Sequence, residues 1–290
     1  MKHIFLLQAF GDNLVSLRLL KNFIGQDIRV HGTSLTEQIV EIVKVDEFKI
    51  EQIYDGIPAF YNLRKEPLLK SVKDFIFLIK YIKANIPSNE PVFFEKDDFR
   101  FKLMKLLLNR HILKAAKKEI GFYEDRAKVF ESCLNTKIEF TSSKDFKLQG
   151  RSVVINPVGR NETRHLNKAI LAFLVKSLKS SDFTISIIDH LGLYSEFESE
   201  VDNYYRKTSL KEAVNILKSA DVYCGPDSLF IHLAYYYRKP YFCIMNYDSS
   251  YFLPPHSEFC SICISGDGME LLPSKFGAWL QDLEKKKVIS

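Results

Sequence analysis

The sequence predicts an α/β protein built from two Rossmann-like halves, and three observations carry that prediction. Short apolar runs of strand length alternate with helical stretches in both halves of the chain, the pattern of βαβ units and parallel sheets. At 290 residues the chain is too long for one ordinary core, so two domains are expected. Between Cys133 and Gly150 the sequence turns polar and loses its period, as a linker does. The charge balance changes at the same place: residues 1–150 hold 25 Lys and Arg against 20 Asp and Glu, and residues 151–290 hold 16 against 16. The expected domains are 1–148 and 149–290, facing each other across a cleft, with the last helix free to pack back on the first domain.

In chain order, Ile4 to Leu7 is the first strand, and Leu14, Leu17, Leu20 and Phe23 recur at helical spacing behind Gly11. Ile28 to Val30 and Pro91 to Phe94 are further strands, separated by the apolar helical run Leu68 to Ile82. The second half begins with strand Ser152 to Asn156, a turn at Pro157 and Gly159, and helix Leu166 to Leu178. Strand Phe183 to Ile188 and helix Leu210 to Ser219 follow, the latter opened by a Ser209/Glu212 capping box. Strand Val222 to Cys224 then runs into a Gly225-Pro226-Asp227 turn, helix Leu229 to Tyr237 and strand Tyr241 to Met245. A last helix, Ser274 to Lys286, puts Phe276, Trp279, Leu280 and Leu283 on one face.

Several function classes are excluded or disfavoured at this level. No run approaches the ~20 apolar residues that span a bilayer. The apolar start is broken by Gln8 and lacks a small-residue cleavage site, so it reads as a strand and not as a secretion signal. Five cysteines without such a signal favour free thiols in a reducing, cytoplasmic compartment. No G-x-G-x-x-G follows a strand, which disfavours a dehydrogenase. A net charge of +5 with no nucleic-acid module disfavours nucleic acid as a partner.

Three strand-to-helix crossovers can carry chemistry. Asp12, in Phe10-Gly11-Asp12-Asn13, lies where ligands bind in open parallel sheets and is either a general base or a helix cap. In Asn156-Pro157-Val158-Gly159-Arg160-Asn161-Glu162-Thr163-Arg164, a helix start and a guanidinium from Arg160 or Arg164 could receive phosphate. In Ala220 to Ala234, Ser228 and His232 are four apart on one helix face behind Asp227, with amides following Ser228 that could bind a diphosphate. The plainer alternative is an Asp227 or Ser228 cap and a hydrogen-bonded His232.

Together these segments resemble glycosyltransferase family 9, the lipopolysaccharide heptosyltransferases. Gly11-Asp12 matches that family's Gly-Asp after the first strand; Asn156-Pro157-Val158-Gly159 and Thr163 to Asn167 match the opening of its second domain. Ala220 to Ala234 with Lys239-Pro240 matches its most specific run, spacing included, whereas about 31–130 matches in rhythm alone. The resemblance implies a GT-B fold and an inverting, metal-independent transfer from a nucleotide-diphospho-sugar such as ADP-heptose, a co-substrate, with no cofactor. It implies Asp12 as the base, Arg160, Arg164, Asp227, Ser228, Leu229 and His232 around the diphosphate, and Glu196 near a ribose. Leu229 stands where the family has Gly, Arg164 where it has Lys, and Leu166 where it has Trp, which leaves a UDP- or GDP-sugar, or a non-catalytic glycan- or nucleotide-binding module, as alternatives. No Asp-x-Asp occurs for a metal of the GT-A type.

Lys96, Arg100, Lys102, Lys105, Arg110, Lys114, Lys117 and Lys118 face only Asp97 and Asp98, with apolar residues at helical intervals. This basic amphipathic segment is either a solvated face or a dock for a glycolipid or glycan acceptor and an anionic membrane, peripheral at the inner face of the cytoplasmic membrane. Cys260-x-x-Cys263, with Cys243 and His256 nearby, has metal-like spacing but reads as buried thiols.

Overall fold

The computed structural model describes the chain except residues 45–48, 62–65, 95–98, 109–111, 114–120, 135–136, 139–147, 149, 247–249, 256–259, 265–269 and 288–290. It divides into two compact units, Met1–Glu139 and Phe140–Ser290.

The first unit runs β1 (Lys2–Phe5), α1 (Phe10–Leu20), β2 (Ile28–Thr33), α2 (Ser34–Val43), β3 (Ile50–Tyr54), α3 (Leu68–Asn85), β4 (Val92–Phe94), α4 (Phe99–Leu108), β5 (Ile112–Leu113) and α5 (Phe122–Leu134). Its sheet has the order β3-β2-β1-β4-β5, and every pairing is parallel. β1 lies at the centre, with successive strands laid first to one side and then to the other, so the crevice at its carboxyl end is a topological switch point. Leu6 and Leu7, expected in the strand, lie beyond it, yet both are buried. The basic segment is not one helix: α4 spans Phe99–Leu108, and β5 pairs in parallel with β4, Ile112 opposite Val92. Lys96 lies outside the described residues.

One side of this sheet is covered by α3 and α4, whose Leu78, Ile82, Met104 and Leu108 pack with Phe5, Leu7, Phe60 and Phe94. Within the sheet two histidines are buried side by side. His3 Nδ1 lies 2.8 Å from His31 Nε2, His3 Nε2 lies 2.7 Å from Glu90, and His31 Nδ1 lies 3.1 Å from the Tyr81 hydroxyl. Tyr81, His31, His3 and Glu90 thus form one continuous run of hydrogen-bonding side chains.

The second unit runs β6 (Ser152–Ile155), α6 (Lys168–Lys179), β7 (Thr184–Asp189), β8 (Asn203–Arg206), α7 (Leu210–Ser219), β9 (Val222–Pro226), α8 (Leu229–Tyr236), β10 (Tyr241–Met245), β11 (Cys260–Ile264) and α9 (Leu271–Lys287). The order β11-β10-β9-β6-β7-β8, again all parallel, reverses between β6 and β9 and is that of a dinucleotide-binding sheet. The Ser209/Glu212 capping box forms as expected. The apolar face of α9 is consumed by this unit's own core, where Phe276, Trp279, Leu280 and Leu283 pack with Phe242, Ile244 and Cys263. Cys260 and Cys263 lie on β11, where three positions apart means opposite faces, so the pair cannot chelate; both are buried. No helix among the described residues is long and apolar enough to cross a membrane.

Candidate functional site

In the first unit the site is built on the loop from β1 to α1. Asn13, fully buried, donates from Nδ2 to Gln8 O (3.3 Å) and to Thr36 Oγ1 (3.1 Å). Thr36 in turn donates to Leu6 O at 3.0 Å and accepts from Thr33 N at 3.0 Å. A side chain at Gly32 would meet Thr36 at 2.7 Å, so only glycine leaves room for this clasp. The loop end is thereby fixed by α2, an element absent from the sequence reading.

Asp12 is not the helix cap. α1 starts at Phe10 with Ala9 in the cap position, and Asp12 sits inside the first turn, where the free amide ends favour a carboxylate. It is a quarter exposed and forms an ion pair with Arg126 of α5, Nη2 to Oδ1 3.8 Å. Arg126 is itself buried, donates from Nη1 to Ser16 Oγ at 2.7 Å, and lies 4.7 Å from the Phe122 ring centroid. No sequence signal marked Arg126, because it reaches Asp12 only through the packing of α5 on α1.

In the second unit two loops meet at the carboxyl ends of β6 and β9. After β6, the buried Asn156 accepts from Val158 N at 3.1 Å, which turns the chain. Gly159 N donates to His165 Nδ1 at 3.2 Å, and a Cβ on Gly159 would lie 2.5 Å from that of Arg164. Asn246, just past β10, donates to the carbonyls of Thr163 (2.7 Å) and His165 (3.2 Å), and Tyr194 donates to Leu166 O at 2.5 Å. These bonds hold a short 3₁₀ turn, Glu162–Arg164; α6 begins at Lys168, two residues past the expected Leu166, and is capped by Asn167.

Arg164 forms an ion pair with Asp227, Nη1 to Oδ2 3.0 Å. Asp227 is buried and adjoins Ser228, the cap of α8, whose Oγ accepts from Phe230 N at 3.3 Å. A guanidinium, a carboxylate and a helix amino end thus converge at the second sheet's switch point. Leu229 is the first residue of α8 and is not among the residues of left-handed backbone, so this position makes no demand for glycine. His232, one turn on, is nearly buried. Gly225 has no space for a side chain: a Cβ would stand 2.2 Å from the Tyr223 hydroxyl and 2.7 Å from Asn156 O.

The other expected residues are placed less centrally. Arg160 is exposed in the loop. Glu196 is exposed in a 3₁₀ segment after β7, where it forms an ion pair with Lys168 that draws its carboxyl below the usual range. On α4, Lys102 and Lys105 are exposed, while Arg100 lies over the Tyr61 ring at 5.4 Å. The thiols of Cys224 and Cys243 are pushed up by burial and are inert as nucleophiles. Among the described residues no group of three or more His, Cys, Asp or Glu could hold a metal ion.

No protein-family model matches the sequence, and no curated protein does. Solved structures do. Escherichia coli heptosyltransferase WaaC with ADP-2-deoxy-2-fluoro heptose aligns at 15% identity and TM-score 0.67, covering 97% of this chain and 99% of its own. A family 9 glycosyltransferase from Veillonella parvula aligns at 10% identity and TM-score 0.65, covering 94% and 88%. E. coli ADP-heptose heptosyltransferase II aligns at 12% identity and TM-score 0.60, covering 98% of each chain. With two parallel, doubly wound sheets and a likeness running the length of the chain, the protein has the GT-B fold of the heptosyltransferases of glycosyltransferase family 9.

Proposed function

We propose that the chain is a family 9 glycosyltransferase that moves heptose or a related sugar, with inversion, from a nucleotide-diphospho-sugar to a lipopolysaccharide or other surface-glycan acceptor. ADP-heptose is the leading donor, since the aligned WaaC structures hold ADP or an ADP-heptose analogue. The single observation that carries the reading is the convergence of Arg164, Asp227 and the Ser228-capped start of α8 at one switch point. In this reaction Asp12 accepts the proton of the acceptor hydroxyl, whose oxygen attacks the anomeric carbon as the bond to the diphosphate oxygen breaks. The leaving diphosphate gains negative charge, and Arg164 with the α8 amides stabilises it without calling on a divalent cation. Asp227 orients Arg164, and Arg126 orients Asp12. The acceptor would be met at the cytoplasmic face of the membrane.

The test is transfer by the purified chain, read by mass spectrometry of the acceptor, beside a thermal-shift panel of ADP, UDP and GDP. ADP alone should raise the melting temperature; a larger shift with UDP or GDP moves the donor to that nucleotide, and no shift with any removes the transferase reading. Asp12→Ala should cut turnover roughly a hundred- to ten-thousand-fold while leaving the nucleotide shift intact. Arg164→Ala should weaken the shift, and an unchanged one would count against its phosphate role.

A further inference from the structure

α3 packs inward through Ser71, Leu78 and Ile82. Its opposite side should be polar if it met only water. Instead Leu68 and Leu69 are 74% and 77% exposed, and Val72 and Ile76 follow them one and two turns along, each close to half exposed. α4, which packs beside α3, adds exposed Leu103, Leu106 and Leu107. An apolar surface of this extent on two adjacent helices marks a docking site.

The charge around it selects the occupant. Lys73, Lys80 and Lys83 on α3 and Lys102 and Lys105 on α4 are all exposed. The only acid on either helix is Asp74, whose carboxylate is turned inward to accept from Ala59 N at 2.7 Å. Apposing two copies would set lysines against lysines. An anionic lipid surface supplies what is missing: headgroup phosphates for the lysines, whose methylene stems lie along the leucines, and acyl chains for the apolar row. We propose that the α3–α4 surface docks the protein on a bilayer containing anionic phospholipid, with Leu68 and Leu69 as the inserted tip. The docking residues are distinct from the nucleotide-binding ones, so the two readings can fail separately.

The experiment is flotation of the full chain with phosphatidylcholine vesicles, with and without one-third phosphatidylglycerol, in the absence of any nucleotide. Binding should require phosphatidylglycerol and fall as salt rises. The double variant Leu68→Ser, Leu69→Ser should lower the bound fraction about tenfold or more, and Lys73→Gln with Lys80→Gln and Lys83→Gln should remove most of the salt dependence. Leu69→Trp should show a blue shift and quenching by brominated lipid. Equal binding to neutral vesicles, no binding, or unchanged binding by the double serine variant would overturn the proposal. So would a dimer in sedimentation that the serine variant dissolves.

Discussion

Asp12 depends on a neighbour that reaches it from more than a hundred residues away in sequence. Arg126 is held by Ser16 and by the face of Phe122, so its guanidinium is fixed before any substrate arrives. Arg126→Gln removes the charge while keeping a hydrogen-bonding head. It should lower kcat between roughly tenfold and a hundredfold with little change in the donor KM, as misplacing a reacting group does; an equal rise in donor KM would assign Arg126 another role. The glycine at 225 has a different job: it lies within β9 and not in the turn expected there, and its missing side chain leaves room for the Tyr223 hydroxyl and the Asn156 carbonyl. Gly225→Ala should cost about 1–3 kcal/mol or more, read from urea midpoints. At this scale Asp12, Arg164, Asp227 and Ser228 were legible because each lies within a local strand-to-helix signature. Arg126, Thr36 and Asn246 were not, because their relevance comes from packing or hydrogen bonds between elements distant in sequence.

Among the elements, α8 bears most directly on the proposed donor site. Its opening residue, Leu229, departs from the family pattern but lies in ordinary helical backbone, so the departure costs no strain. Leu229→Gly should therefore destabilise the protein, by about 0.5–1 kcal/mol, and should leave nucleotide affinity within a factor of two or so; isothermal titration beside thermal melting measures both. Most long periodic elements were readable in advance, since they bury one stripe each. Several short ones were not, nor were the helices α2 and α5. β3, β5, β8 and β11 are two to five residues long, and their pairing along the sheets, not their own composition, makes them strands. The same reason explains why a Cys-x-x-Cys spacing misleads: on a helix or loop it gathers two sulfurs, and on β11 it separates them.

For the molecule as a whole, the buried His31 gives stability a pH dependence. Burial and the neighbouring ring lower His31 to about 4, against partial opposition from Glu51. A histidine whose folded pKa is depressed keeps its full contribution above about 6.5 and loses it as the pH falls towards 4, because the unfolded chain takes the proton first. Up to about 3 kcal/mol is at stake, and Glu90, drawn down by its bond to His3, weakens in the same direction. Unfolding by urea at pH 7 and pH 5 should show the loss. His31→Phe, which can stack on Phe5, should flatten the pH slope even if it lowers stability at pH 7. The parallel two-unit plan was legible from rhythm and length. The placement of α9 was not, since an apolar stripe does not name the surface it will cover. That placement has a consequence for synthesis. The elements described in the first unit all lie within the first 139 residues, so that unit can finish folding while the ribosome is still translating the second. The second cannot close its core until Phe276, Trp279 and Leu283 have emerged. A nascent chain arrested near residue 270 would carry a completed first half followed by a sheet whose apolar face still awaits its cover, and chaperones would be needed there first.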